Sequence, residues 1–256
     1  MVRFFLLALL PLLLSCVTQE KVQRATLIAH AGGEVGGKHY TNSRESLDSA
    51  LIRGYKYIEL DFSFTRDSVL VAVHSWKEFN EWTGYAHEGD VAPMLSDFKK
   101  RLIHGCYTPL TAAEINDFFM QHDSLYLVTD KVSDPAVLSS YFPELKERMV
   151  VEAFNYKHYT QLRREGYHLV FYSCMASDLG SALVKNLLFD KLFEGERIEW
   201  LALHTSGLDY KVFRFLNSVR RFNVALFTVD SLDEIDVKFW DRAKMIYTNK
   251  LLPAGH

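Results

Sequence analysis

The chain has 256 residues, of which 48% are hydrophobic and 24% charged, and its formal net charge at pH 7 is −3. This is the composition of an ordinary globular protein, and the chain is long enough for one large core. The small excess of acidic residues and the lack of a basic run argue against nucleic-acid binding.

The first residues predict export and a membrane anchor. Arg3 precedes an apolar run over 4–14, which is shorter than the roughly 20 residues that a membrane-spanning helix needs. The run ends in Leu-Leu-Ser-Cys, so we interpret residues 1–15 as a lipoprotein signal peptide, Cys16 as the lipidated residue and 16–25 as a tether. An ordinary secretory signal is the alternative. Because no aspartate follows the cysteine, the expected location is the bacterial cell envelope, lipid-anchored at the outer membrane.

Strand-like and helix-like segments alternate over residues 26–256. The runs at 26–30 and 57–61 enclose a helical pattern for which Asn42 and Glu45 form a predicted capping box. Eight strand candidates alternating with helices predict an α/β fold, a (β/α)8 TIM barrel. The other six strands are expected at 125–130, 149–154, 168–173, 200–203, 223–228 and 244–248. Helices are expected at 156–165, 179–189, 210–219 and 232–240, and another begins after the predicted cap Thr111, with Glu114 as its capping-box partner.

An open doubly wound sheet is the alternative fold. Its nucleotide loop has the pattern G-x-G-x-x-G after the first strand. The first strand of this chain is followed by His-Ala-Gly-Gly-Glu-Val-Gly-Gly, which lacks that spacing, and no P-loop is present. The barrel is therefore the favoured fold.

The segment 57–74 predicts a β-hairpin extension after strand 2. Glu59 and Asp61 are two residues apart, so on a strand they point to the same side. A turn-type sequence, Thr-Arg-Asp-Ser, separates them from a valine-rich run that ends at His74. With the turn centred on 67–68, Asp61 is expected to lie opposite His74. Residues 76–109 then form a partly helical excursion over the same mouth.

Histidines and carboxylates recur where the predicted strands end. In a barrel of this type, chemistry collects at the carboxyl ends of the strands. Carboxylates grouped there repel each other unless a cation joins them. A metal-binding acid/base site is therefore expected from His30, Glu59, Asp61, His74 and Asp130, with Glu152, Phe154 and Phe227 at further strand ends.

The motifs of the first strand–helix–strand unit resemble those of glycerophosphodiester phosphodiesterases. They are His-Ala-Gly at 30–32, Thr-Asn-Ser at 41–43, and Gly-Tyr-Lys-Tyr-Ile-Glu-Leu-Asp at 54–61, followed by His74. These enzymes belong to the phosphatidylinositol-phospholipase-C-like phosphodiesterase superfamily and have a TIM-barrel fold. The resemblance implies catalytic histidines at His30 and His74, and an asparagine near the phosphate at Asn42. It also implies a divalent cation, Ca2+ or Mg2+, on Glu59, Asp61 and Asp130.

Three positions depart from the family pattern. Ala31 stands where the family has an arginine, and Phe227 where it has a tryptophan. Val132 stands where the family has a lysine, and Lys131 is one residue early and would face the other way on a regular strand. The substrate contacts are therefore expected to differ from those of the family, with Asn42, Glu152 and Phe227 as substrate-binding candidates.

The predicted function is metal-dependent hydrolysis of glycerophosphodiesters, or of related phospholipid-derived phosphodiesters, with histidine acid/base catalysis. One alternative is a non-catalytic surface lipoprotein that binds a phosphate ester or a sugar. Another is a lipid phosphodiesterase similar to sphingomyelinase D, since those relatives have an aspartate as third ligand. The expected partners are a small-molecule or lipid phosphodiester and a membrane, held through Cys16, with no nucleic acid.

Overall fold

The computed structural model describes residues 25–174 and 197–255, except positions 207, 210, 213, 215 and 217–221. The predicted signal peptide and the lipidation site Cys16 lie outside the described residues, as does all of the predicted tether except Ala25. The helix expected at 179–189 also lies outside them, and the one at 210–219 lies partly outside. No helix within the described ranges is both long and apolar enough to cross a membrane.

Eight parallel strands in the described part of the chain close into a barrel. Each strand pairs with its neighbours in the ring, and the first strand closes the ring by pairing with both the second and the last strand of the chain. The predicted (β/α)8 fold is therefore confirmed. The barrel strands are β1 (Thr26–Ala29), β2 (Tyr57–Phe64), β4 (Tyr126–Asp130), β5 (Met149–Ala153), β6 (Leu169–Cys174), β7 (Trp200–His204), β8 (Asn223–Phe227) and β9 (Ala243–Thr248).

The barrel interior has an apolar layer beneath a polar one. The apolar layer is a buried cluster to which most strands contribute one residue, among them Val128 of β4 and Val150 of β5. Side chains two residues apart on a strand share a face, so the next inward positions are Asp130 and Glu152. The apolar layer therefore places these polar side chains at the mouth. It consists of Ile28, Val128, Val150, Phe171, Ala202, Ala225, Met245 and Tyr247.

Helices cover the outer face of the strands, where a second and larger core cluster lies. Thr111 caps one of them and forms the predicted capping box with Glu114. The helix predicted at 232–240 is shorter, with its described helical residues at Val237–Trp240. The described helices are α1 (Arg44–Ile52), α2 (Trp76–Trp82), α3 (Leu95–Phe98), α4 (Ala112–Met120), α5 (Pro135–Tyr141), α6 (Tyr156–Arg164) and α7 (Val237–Trp240).

The predicted hairpin is present, with a register that differs by one residue. Strand β3 (Leu70–Ala72) runs antiparallel to β2 and pairs Phe62 with Ala72. Val73, rather than His74, is bonded opposite Asp61, since its N–H donates to the carbonyl of Asp61 at 2.9 Å. The loop from Thr65 to Val69 is centred on residue 67, because the Thr65 hydroxyl and carbonyl bind the returning chain. His74 therefore follows the paired segment and is free to turn toward the mouth.

The N-cap predicted for the first helix is wrong. Asn42 has a left-handed backbone (φ 48°), and Ser43 is the residue that caps α1, in a capping box with Ser46. An N-cap residue has an extended backbone, which Ser43 has and Asn42 does not. The side chain of Asn42 is therefore available for another purpose.

The excursion after the hairpin is partly helical, as predicted, and contains α2 and α3. It has its own small core around Trp76, Phe79 and Phe98. Buried Arg101 stabilises the excursion through a bidentate ion pair with Glu88, whose two hydrogen bonds measure 2.8 and 3.0 Å. This packing fixes the segment that follows His74 in a position beside the mouth.

Candidate active site

A cavity of about 250 Å3 opens at the carboxyl ends of the barrel strands. Every sequence-predicted site residue lines it except Asn42, which lies behind Asp61, and Cys16, which is outside the described residues. The structure therefore brings the predicted histidines and carboxylates together. The lining residues are His30, Tyr40, Glu59, Asp61, His74, Asp130, Glu152, Phe154, Ser173, His204, Phe227, Thr228 and Tyr247.

Three carboxylates form a compact acidic triad at one side of the cavity. Glu59, Asp61 and Asp130 each place one oxygen within 4.8 Å of the others. Burial raises the pKa of Glu59 well above its usual range, and repulsion from Asp61 and Asp130 adds to the rise. Burial also raises the pKa of Asp130, with Glu152 and Asp61 as further causes. The protein groups around the triad do not fully compensate the negative charge of its three carboxylates.

Glu59 has one satisfied and one unsatisfied oxygen. Its Oε2 accepts a 2.7 Å hydrogen bond from the N–H of Ala31, whose left-handed backbone (φ 49°) aims that group at the carboxylate. Its Oε1 is buried and has no hydrogen-bond partner among the described residues. A buried carboxylate oxygen without a partner is costly unless a cation joins it.

Asn42 holds Asp61 in place through both ends of its amide. Its Nδ2 donates to Asp61 Oδ2 at 3.0 Å, and its Oδ1 accepts from the Asp61 N–H at 3.0 Å. Burial would raise the pKa of Asp61, but the Lys131 ammonium, His74 and the Asn42 amide together lower it below the usual value. Asp61 is thus kept ionised. Asn42 does not itself line the cavity and influences the site by holding Asp61.

Lys131 reaches the site, contrary to the expectation that it faces away. Strand β4 ends at Asp130, and Lys131 has a left-handed backbone (φ 68°), so the alternation of a regular strand does not apply to it. Its Nζ lies 3.1 Å from Asp61 Oδ1 and also donates to the carbonyl of His74. The chain therefore supplies a lysine ammonium at the acidic side of the mouth although Val132 replaces the family lysine.

His30 is held at the edge of the triad. Its Nδ1 lies 2.9 Å from the hydroxyl of Thr228, and its Nε2 lies 3.9 Å from Glu59 Oε2. Burial lowers the pKa of His30 to about 4, and the nearby carboxylates of Asp61 and Asp230 only partly oppose this shift. The ring is therefore neutral at neutral pH, with one nitrogen facing the carboxylates.

His74 is paired with a carboxylate that the sequence analysis missed. Its Nδ1 lies 2.5 Å from Glu78 Oε2, and Ser75 Oγ donates to the same oxygen at 2.8 Å. Burial would raise the pKa of Glu78, but its hydrogen bonds with His74 and Ser75 lower it. The signal was available in the sequence, since Ser75-x-x-Glu78 is a capping-box pattern directly after the histidine.

Tyr40 and His204 are lining residues that the sequence analysis did not single out. Tyr40 has its ring 4.7 Å from that of His30 and 4.8 Å from that of His74, measured between centroids, so it separates the two histidines. His204 ends β7, two residues after the apolar-layer residue Ala202. The same two-residue spacing separates Asp130 from Val128 and would have found His204.

The remaining candidates, Glu152 and Phe227, also line the cavity, Glu152 from the strand next to that of Asp130 and Phe227 from β8. Glu152 Oε1 accepts a 2.5 Å hydrogen bond from the Tyr247 hydroxyl, and burial raises the pKa of this glutamate to about 7. Phe227 packs its ring edge-on against Tyr247 at 5.9 Å and against His204 at 5.3 Å. Substrate contact by either residue stays a prediction.

The model of the glycerophosphoryl diester phosphodiesterase family matches residues 34–173, which is more than half of the chain. The chain belongs to this family. The matched residues include the acidic triad, His74 and Glu152, whereas His30 and Phe227 lie outside the match. Family membership confirms the prediction of a phosphoric diester hydrolase of the glycerophosphodiester phosphodiesterase type.

Solved structures of this family share the fold. A glycerophosphodiester phosphodiesterase from Thermotoga maritima superposes with a TM-score of 0.64 at 16% identity, covering 88% of this chain and 95% of that one. A phosphodiesterase from Oleispira antarctica, in complex with the product sn-glycerol-3-phosphate, gives 0.64 at 18% identity, covering 88% and 92%. A candidate glycerophosphoryl diester phosphodiesterase from Agrobacterium tumefaciens gives 0.67 at 15% identity, covering 88% and 94%. A search of curated proteins finds no match.

The acidic triad fits a hard divalent cation. It offers only carboxylate oxygens, which are the ligands that Mg2+ and Ca2+ prefer. The unpaired Oε1 of Glu59 and the raised pKa values of Glu59 and Asp130 are the features that a bound cation would relieve. The described residues therefore include a site that can hold a metal, on a fold that this chain shares with other family proteins.

Proposed function

We propose that this protein is a metal-dependent phosphodiesterase that hydrolyses glycerophosphodiesters or related phospholipid-derived phosphodiesters. One observation carries the proposal. Two imidazoles and three carboxylates converge in one cavity, and a buried oxygen of Glu59 has no partner among the described residues. The family to which the chain belongs supports the substrate class.

Glu59, Asp61 and Asp130 would hold the cation, Ca2+ or Mg2+. Such a cation, when bound, neutralises charge on a phosphoryl oxygen and lowers the pKa of a hydroxyl or water nucleophile. Asp61 is prepared for this role, because Asn42 fixes its orientation and its lowered pKa keeps it charged. Loss of the triad is therefore expected to abolish turnover.

His30 is assigned as the general base. Its Nδ1 is held by Thr228, so Nε2 is the nitrogen directed toward the triad and able to accept the proton of the nucleophile. A general base must be unprotonated before the reaction, and burial lowers the pKa of His30 far enough for that at neutral pH.

His74 is assigned as the general acid. Its Nδ1 is bound to Glu78, which leaves Nε2 for the cavity. A carboxylate behind an imidazole orients the ring and stabilises its protonated form. His74 can therefore give a proton to the leaving alkoxide, and Glu78 acts through it as a positioning residue.

Lys131 is proposed to compensate for the missing family arginine. Ala31 contributes only its backbone N–H, and that group is used by Glu59. The Lys131 ammonium is near Asp61, and its side chain is about one-third exposed. It can therefore donate one of its hydrogen bonds to a phosphate oxygen. The phosphate is thus expected to be held by the single charge of Lys131, whereas an arginine would hold it with two parallel hydrogen bonds.

The reaction breaks one phosphorus–oxygen bond. The oxygen of a water molecule bonds to phosphorus, His30 takes the water proton, and the departing alcohol oxygen takes a proton from His74. When the glycerol hydroxyl next to the phosphate attacks first, a cyclic phosphate forms and water then opens it. A related phosphodiesterase has been solved with sn-glycerol-3-phosphate, which is the product expected here.

Two alternative functions have specific support. Asp130 as third ligand favours a lipid phosphodiester, as in relatives similar to sphingomyelinase D. Ala31 in place of the arginine favours a non-catalytic surface lipoprotein that binds a phosphate ester or a sugar. The position of Lys131 weakens this second alternative, because it restores a cationic group at the site.

We also propose that Cys16 carries a lipid anchor and that the protein is located at the bacterial outer membrane. The sequence Leu-Leu-Ser-Cys supports this proposal. Substitution of Cys16 by serine is expected to release the protein from the membrane fraction of the producing bacterium. Membrane retention of this variant would contradict it.

A release assay tests the proposed function. Purified protein is given glycerophosphocholine, glycerophosphoethanolamine, a lysophospholipid or sphingomyelin, with Ca2+ or Mg2+, and the products are identified by phosphorus NMR. We expect glycerol 3-phosphate from the first two substrates, and none after EDTA treatment. A product only from the two lipids favours the sphingomyelinase-like alternative. No product from any substrate, together with no thermal shift on adding EDTA, favours the binding protein.

A further inference from the structure

His204 lies directly across the mouth from the acidic triad. In the ring of eight barrel strands, β7 is four strands from β2 in either direction. His204 ends β7, while Glu59 and Asp61 are on β2, and all three line the same cavity. A ligand that has its phosphate at the triad and is long enough to cross the cavity would therefore meet His204 on the opposite side.

The hydrogen bonds of His204 fix the position of its ring proton. The backbone N–H of Ser206 points at Nδ1 from 2.9 Å, and the Ser206 hydroxyl lies 2.6 Å from the same atom. A backbone N–H can only donate, so Nδ1 is an acceptor, and the neutral ring carries its proton on Nε2. No group among the described residues is hydrogen-bonded to Nε2. His204 therefore offers one N–H donor of fixed orientation.

The surroundings of His204 differ from those of the two catalytic histidines. His30 lies 3.9 Å from Glu59, and His74 is bound to Glu78. Within the described ranges no carboxylate forms an ion pair with His204, and its ring packs against the edge of Phe227 at 5.3 Å. This setting suits a hydrogen-bond donor that recognises a ligand, because the ring lacks the carboxylate neighbour that each of the other two histidines has.

The cavity wall beside His204 includes an aromatic side chain. Phe227 is paired with His204 across β7 and β8, and Phe154, which is 47% exposed, lines the same cavity from the end of β5. Sites for small molecules commonly combine an apolar wall with a few polar groups that fix the orientation of the ligand. Here the fixed polar group is a donor, so it matches an oxygen acceptor on the ligand.

We propose that His204 is a specificity-determining residue that donates a hydrogen bond from Nε2 to a glycerol hydroxyl oxygen of the phosphodiester substrate. This inference rests on the proposed function. Choline and ethanolamine head groups have no oxygen beyond the phosphoester linkage, so in these substrates the hydroxyls of glycerol are the acceptors available beyond the phosphate. The triad side then binds the phosphate, and the His204 side distinguishes glycerol from a plain alkyl chain.

The test compares two substrates with the same leaving alcohol, glycerophosphocholine and the ethyl ester of phosphocholine, which lacks the glycerol hydroxyls. In wild-type protein with Mg2+ or Ca2+, we expect a preference for glycerophosphocholine in kcat/KM. His204→Leu is expected to reduce this preference about tenfold to a hundredfold, mainly through KM, since the hydrogen bond is lost and the glycerol oxygen is left without its partner. His204→Gln places an amide N–H near the position of Nε2 and should retain most of the preference, whereas the shorter His204→Asn should not.

The exposed His168 gives the matched control, and His168→Leu should leave the preference unchanged. Calorimetric titration provides a readout that needs no turnover: His204→Leu should weaken binding of sn-glycerol-3-phosphate about tenfold and leave binding of inorganic phosphate unchanged. An equal loss of kcat/KM on both substrates in His204→Leu would overturn the inference. So would an equal substrate preference in the His204→Gln and His204→Asn variants. Absence of hydrolysis by the wild type, with selective binding of sn-glycerol-3-phosphate intact, would refute the proposed function and leave the His204 subsite standing.

Discussion

The two sides of the mouth have opposite chemistry on the same scaffold. The β2–β4 side carries Glu59, Asp61 and Asp130 with the Lys131 ammonium, whereas the β7–β8 side carries His204 and Phe227 without a carboxylate partner for His204 in the described ranges. On both sides the side chain two residues beyond the apolar layer enters the cavity. The difference shows that the barrel fixes where side chains point, while the residue type at each position decides whether that side of the cavity serves catalysis or ligand recognition. Substitutions of the carboxylates or of the two histidines beside them should therefore lower kcat, and those on the aromatic side should raise KM.

The largest effect is expected for the two histidines beside the triad. His30→Ala and His74→Ala should each lower kcat about a hundredfold to ten-thousandfold, because general acid/base catalysis contributes that range. Steady-state kinetics on glycerophosphocholine with saturating metal measures it, with His168→Ala as the exposed control. Full metal-dependent activity in both variants would contradict the proposed mechanism.

Glu59 is expected to reduce stability when no cation is present. Its folded-state pKa is raised, so the metal-free protein loses stability as the pH rises from the ordinary carboxyl range toward that raised value. Glu59→Gln carries no charge and should be about 1–3 kcal/mol more stable than wild type at about pH 8 in EDTA. This advantage should vanish at about pH 4, where the carboxyl is protonated in both states.

Urea unfolding at several pH values checks this prediction, and Glu144→Gln is the control at an exposed glutamate. A Glu59→Gln variant that is less stable than wild type in EDTA would mean that Glu59 contributes to the fold in its charged form. The triad would then need no cation to offset its charge.

Lys131 tests whether the charged side also binds phosphate. Lys131→Met should raise KM about tenfold with a smaller effect on kcat, because one charge-assisted hydrogen bond to phosphate is lost. Lys77→Met removes an exposed lysine from the neighbouring helix and should have no effect. Should KM stay constant and kcat fall, Lys131 would instead act by orienting Asp61 or His74.

The smallest effect is expected on the aromatic side. Phe227→Leu should raise KM a few-fold at nearly constant kcat, because the edge contacts with His204 and Tyr247 contribute about 1 kcal/mol. Phe64→Leu, at the partly exposed end of β2, is the control. A loss of kcat comparable to that of the histidine variants would remove the distinction between the two sides.

Much of this architecture could be predicted from the sequence, because apolar runs and strand ends are local signals. The eight strands and the meeting of His30, Glu59, Asp61, His74 and Asp130 followed from them. Local patterns did not predict backbone conformation at single residues. Asn42 and Lys131 have left-handed backbones, and this is why one does not cap its helix and the other reaches the site. The hairpin register depends on a turn stabilised by the Thr65 side chain, which composition does not reveal.

His204 and Tyr40 show a different limit. Neither belongs to a recognisable motif, and their position at the site depends on the closure of the barrel and on the loop after β1. Glu78 is an intermediate case, since its capping-box spacing was visible but its contact with His74 required the structure. Lining residues without a sequence motif are therefore harder to predict than those that belong to the histidine and carboxylate motifs.

The central claim is that Glu59, Asp61 and Asp130 bind the cation that hydrolysis needs. Calorimetric titration of Mg2+ and of Ca2+ into EDTA-stripped protein, followed by an activity assay on the same samples, tests it most directly. We predict one ion per chain, restoration of glycerophosphocholine hydrolysis in step with its binding, and loss of both in Glu59→Gln and Asp130→Asn. Hydrolysis that persists in stripped protein, or cation binding unchanged in both variants, would contradict the account.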